Sequence, residues 1–85
     1  MINSFLFKEV VMKKIITQRT AQDDCHANLI AQGMENAGAD VFAITNDKYG
    51  YVQVYCKHDK SLSADRIDQE INGVLETKAE CYLSF

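Results

Sequence analysis

Two short runs of strand-forming residues, Val41-Phe42-Ala43-Ile44-Thr45 and Tyr51-Val52-Gln53-Val54-Tyr55-Cys56, stand on either side of Asn46-Asp47-Lys48-Tyr49-Gly50. β-Branched and aromatic residues favour the pleated chain, and a short linker of turn formers reverses it, so this stretch predicts a β-hairpin. Along the second run Val52, Val54 and Cys56 share one face while Tyr51, Gln53 and Tyr55 share the other. A sheet with one apolar face needs a second layer to cover it.

The flanking segments supply that layer. Thr20 followed by Asp23 resembles a helix start, and Asp23 and Asp24 put negative charge where the helix dipole favours it. A helix is expected from Ala21 to about Ala37, with Cys25, His26, Leu29, Ile30, Gly33, Met34 and Ala37 on one stripe and Gly38 as a left-handed cap. A second helix is expected from Ser63, its N-cap, to about Thr77. Leu62 would staple onto Ile67, and Ala64, Ile67, Ile71, Val74 and Leu75 would form its apolar stripe.

Lys13 to Gln18, Lys-Lys-Ile-Ile-Thr-Gln, reads as a strand before the first helix. At the other end Cys81, Leu83 and Phe85 alternate with Glu80, Tyr82 and Ser84, which predicts a last strand over 79–85. The resulting order, β-α-β-β-α-β, is that of a ferredoxin-like α+β sandwich, two helices on one face of a four-stranded antiparallel sheet. Topology alone does not carry function.

With 85 residues and no proline, the chain is expected to be a single domain over 1–85. Residues 1–11 are an extension ahead of a core at 12–85, a continuation of the first strand through Phe5, Phe7 and Val11, or a short helix capped by Asn3 or Ser4. Lys8 and Glu9 interrupt this apolar segment, so it is read as neither signal peptide nor membrane span. Cys25, Cys56 and Cys81 are odd in number and far apart, which argues against a disulfide framework and suits a reducing, cytoplasmic setting.

The net charge of −3, with no basic run longer than Lys13-Lys14, disfavours nucleic acid as partner. Cys25 beside His26 is the most suggestive chemical pair, but Cys25 falls on the expected core stripe, where a buried thiol is inert. Cys25, His26, Cys56 and His58 lack the paired spacing of a zinc site, so no metal or other cofactor is expected. Arg19-Thr20 could cradle an anion at the helix start, a role that Asp23 and Asp24 oppose. No acid–base or nucleophile constellation is recognisable, and the chain is not expected to be an enzyme.

The remaining candidates are surfaces. Tyr51, Tyr55 and Tyr82 are expected to project from the sheet face that the helices leave open, with Tyr49 near the hairpin, and exposed tyrosines serve protein interfaces. Asp65, Asp68 and Glu76 form an acidic arc on the second helix that would meet a basic surface. These seven residues point to a protein-binding module: a small regulator or inhibitor docking on a larger protein, by its sheet face, an edge strand or the acidic helix. Small phage-type inhibitors of host defence, anti-CRISPR proteins among them, share this size and simplicity, although no residue makes that identification. The alternative is a homodimer whose sheets pair and bind a small ligand at the seam.

Overall fold

The computed structural model describes residues 14–83, with side chains described for 14–77. It is an α+β arrangement of β1 (Ile15–Ala21), α1 (Asp24–Asn36), β2 (Asp40–Asn46), β3 (Val52–His58) and α2 (Ala64–Leu83). The three strands form one antiparallel sheet in the order β1-β3-β2, so β3 is central.

The hairpin forms as its residues demand. Asp47 organises the turn: its Oδ1 accepts from the N–H groups of Tyr49 and Tyr51 at 2.9 and 3.0 Å, and Gly50 takes a positive φ of 91°. Within β2 the register shifts between Val41 and Ala43, leaving Phe42 as the extra residue of a bulge.

β1 lies further along the chain than Lys13–Gln18. It takes in Arg19, Thr20 and Ala21, because all seven of its residues pair with His58 back to Val52 in unbroken register. Arg19 and Thr20 are thus strand residues and not an anion-binding loop. α1 consequently starts later, capped by Asp23, whose extended backbone lets its carboxylate accept from His26 N–H at 2.8 Å. At the other end Gly38, φ 101°, donates to Glu35 O, and Ala39 donates to Met34 O. That pair of bonds is the Schellman closure expected of a C-terminal glycine.

The core gathers Ala21, Val52, Val54 and Cys56 from the sheet, Ala27, Ile30 and Met34 from α1, and Ile67 and Ile71 from α2. Burial on α1 is centred on Ile30, so Ala27 is inside, whereas Cys25, at the rim of the expected stripe, is exposed. His58 is buried with both ring nitrogens partnered, Nε2 with Thr17 Oγ1 at 2.6 Å and Nδ1 with Asp59 O at 3.0 Å. Since a carbonyl can only accept, Nδ1 carries a proton toward Asp59 O.

α2 begins as expected, with Ser63 Oγ accepting from Arg66 N–H at 3.2 Å and Leu62 packed against the cluster that holds Ile67. It does not end at Thr77. Residues 79–83, expected as strand, continue the helix to Leu83, and residues 84–85 lie outside the described residues. No glycine or proline interrupts Thr77-Lys78-Ala79-Glu80, Ala and Glu are good helix formers, and three alternating apolar residues are a weaker signal than that continuity. The readings of residues 1–11 also lie outside the described residues.

The two helices meet at Gly33. A Cβ there would stand 2.5 Å from Ile71 Cα, so α1 and α2 touch backbone to backbone. Gly33→Ala is therefore expected to cost about 1–3 kcal/mol through forced separation. Gly73→Ala, where a Cβ meets nothing within 4 Å, should instead stabilise by roughly 0.5–1 kcal/mol from helix propensity. Urea unfolding of the two variants checks the contrast.

Candidate functional site

The pairing register sorts the sheet into two faces. Thr17, Arg19 and Ala21 of β1 stand beside Cys56, Val54 and Val52 on the face that the core occupies. Ile16, Gln18 and Thr20 stand beside Lys57, Tyr55 and Gln53 on the other face. No described element packs on that second face.

One half of it is apolar. Ile16 is 57% exposed and Phe42 50%, and Tyr55 lies half-buried among neighbouring side chains, while Tyr51, 48% exposed, stands on the same face beyond Gln53 at the hairpin end. The Phe42 and Tyr55 rings are tilted at 43° with centroids 6.2 Å apart, and the Lys57 ammonium sits 5.1 Å from the Phe42 centroid. Contacts of this kind hold aromatic side chains in place, which lowers the entropy lost when a partner covers them. Beside them Lys14, Ile16, Asp40 and Lys57 line a shallow pocket of about 360 Å³.

The other half is polar and cross-linked. Thr20 Oγ1 donates to Gln53 Oε1 at 2.8 Å, and Gln18 Nε2 donates to the same oxygen. Gln53 Nε2 then donates to Asp47 Oδ2 at 2.9 Å. The chain of bonds runs from β1 across β3 to the hairpin turn. It holds the Asp47 carboxyl below the usual carboxylate range, first through Gln53 and then through backbone N–H groups of the turn.

The expected site residues divide. Tyr51 and Tyr55 are on the open face as expected. Tyr49 is 74% exposed at the tip of the hairpin, with Lys48 Nζ 5.3 Å from its ring centroid. Tyr82 belongs to α2 and not to the sheet, because the last strand is helix there. Asp65 and Glu76 are exposed on α2. Asp68 is already engaged: Arg19 donates Nε to Oδ1 at 2.8 Å and Nη2 to Oδ2 at 2.9 Å. This bidentate pair pulls the Asp68 carboxyl down and the Arg19 guanidinium up, chiefly by hydrogen bonding. An aspartate so occupied does not extend an acidic arc toward a basic partner.

Ile16, Phe42, Lys14, Lys57 and Asp40 were not among the residues that the sequence singled out. Phe42 reaches the open face through the bulge, which single-strand alternation does not reveal. Ile16 was legible in principle, as the alternation partner of Lys14 and Gln18 once β1 is extended to Ala21.

The chemical candidates stay apart. Cys25 is exposed on α1, whereas burial in the core pushes the Cys56 thiol up. His26 is half-buried, its Nδ1 accepting from Gln22 N–H at 3.0 Å. Among the described residues no group of three His, Cys, Asp or Glu side chains is placed to hold a metal ion, and no helix is long and apolar enough to cross a membrane. Comparison with protein-family models, curated proteins and solved structures returns no match.

The two depressed carboxyls set the acid response. A carboxylate whose folded pKa is depressed contributes stability that is complete above its unfolded value, near pH 4, and lost as pH falls through the folded value. Urea midpoints are accordingly expected to drop below about pH 4, with Asp68→Asn and Asp47→Asn each flattening that drop. At neutral pH, Asp68→Asn should cost about 1 kcal/mol, the scale of a solvent-screened ion pair.

Proposed function

We propose that this chain is a non-enzymatic protein-binding module, a small regulator or inhibitor that docks on a larger protein through the open face of its sheet. One observation carries this reading: half-exposed apolar side chains, Ile16 and Phe42 near Tyr55 and Tyr51 beyond Gln53, on a face that no described element covers. Exposed apolar groups clustered on one face and rimmed by polar ones are typical of interaction surfaces. Gln18, Thr20 and Gln53 form one side of that rim, and Lys14, Lys57 and Asp40 the other.

The rim also alters the expected partner. Lys14 and Lys57 flank the apolar groups, while Asp68 is neutralised by Arg19. A partner with an apolar centre and acidic groups at its margin fits this face better than the basic surface that the acidic helix alone would call for. The free thiols Cys25 and Cys56 suit a reducing cytoplasm.

We also assign the arrangement to the ferredoxin-like class. The order β1-β3-β2 of its three described strands, with both helices packed on one face, supports it.

The test is affinity capture from the native cell extract with the tagged full chain. Phe42→Ala combined with Tyr51→Ala is expected to weaken capture of a stoichiometric partner by roughly tenfold or more, as loss of interface aromatics does, while leaving the unfolding midpoint unchanged. Asp65→Lys combined with Glu76→Lys should retain it. Capture that survives the aromatic changes and is lost on the helix changes contradicts the proposal.

A further inference from the structure

Among the described residues the sheet of order β1-β3-β2 has two edges, and they differ. Along β2 the bulge at Phe42 breaks the ladder and Asp40 adds a charge at one end. Bulges and charges are the usual ways of keeping an edge from pairing. β1 has no bulge: its seven residues run in unbroken register, without proline or glycine. Its lone charge, Arg19, is bound to Asp68 on the helix side of the sheet. Arg19 Nη1 also donates to Gln18 O at 2.8 Å, which uses one of that carbonyl's two lone pairs. Two consecutive residues of this strand, Ile15 at 40% and Ile16 at 57%, remain exposed although they point to opposite faces. One added strand would cover both.

We infer that the strand added to this edge is β1 of a second copy, running antiparallel about a two-fold axis at Gln18. That register sets Gln18 opposite Gln18, Ile16 opposite Thr20, Thr17 opposite Arg19 and Ile15 opposite Ala21, so no like charges face each other. Lys14 of each copy then lies opposite Gln22 of the other, next to Asp23 and Asp24, and this attraction occurs twice per dimer. Parallel pairing, or a shift that moves Lys14 away from this corner, forfeits it. The product is a continuous six-stranded sheet with both helix pairs on one side and both open faces on the other. The dimer covers Ile16, which the docking face shares, but it does not depend on docking, because Phe42 and Tyr51 lie on β2 and at the start of β3, away from the edge.

Residues directly opposite in an antiparallel pair have Cβ atoms about 5 Å apart, close enough to cross-link. The test uses the full chain with Cys25→Ser and Cys81→Ser to remove other reactive thiols, adding Gln18→Cys or, on the opposite edge, Thr45→Cys. The parent chain is expected to sediment as a dimer at tens of micromolar. With oxidised glutathione, Gln18→Cys should give nearly complete disulfide-linked dimer and Thr45→Cys little. Gln18→Lys, which opposes two ammonium groups at the axis, should weaken dimerisation roughly tenfold or more with circular dichroism unchanged. A parent that stays monomeric, as it would if its own residues cover β1, overturns the inference. So does equal cross-linking at the two edges, or a dimer indifferent to Gln18→Lys.

Discussion

The contact between Gly33 and the backbone of Ile71 governs how the rest of the molecule is arranged. With only a hydrogen at position 33, α2 approaches α1 until their main chains touch. That proximity carries Ile67 and Ile71 into the core that α1 forms over Val52, Val54 and Cys56. It also brings Asp68 within hydrogen-bonding distance of Arg19, which ties α2 to β1. Both helices are thereby committed to one side of the sheet. The other side is left with apolar groups that its own strands cannot bury.

Much of this was legible in the sequence, for identifiable reasons. The turn formers between Val41–Thr45 and Tyr51–Cys56, and the strict alternation of Val52, Val54 and Cys56, depend on local chemistry, and the hairpin and its buried face follow. Gly38 and Ser63 likewise act within a single turn of chain. What was missed depends on contacts distant in sequence. The extension of β1 to Ala21 is dictated by pairing with Val52–His58, and the displaced start of α1 follows from it. The last strand failed because the alternation of Cys81, Leu83 and Phe85 competes with an uninterrupted helix, and no stop signal separates them.

The candidate site shows the same division. Tyr51 and Tyr55 could be placed by alternation alone, and they stand on the open face. Asp68 was assigned to the acidic arc because its partner, Arg19, is 49 residues away. Phe42 could not be assigned to a face, since the bulge that reorients it exists only once β2 is paired with β3. Surface chemistry that is set by pairing thus shifted the expected partner from a basic surface toward one with an acidic margin.

The account turns on the open face being free in the isolated chain. The most direct measurement is NMR signal attenuation by a soluble gadolinium chelate, read at the side chains of the isolated protein. Strong attenuation is expected at Phe42 and Tyr51, with Val54, Ile67 and Met34 protected. Protection of Phe42 and Tyr51 equal to that of Val54 would mean that this face is covered in the isolated protein, which contradicts the account.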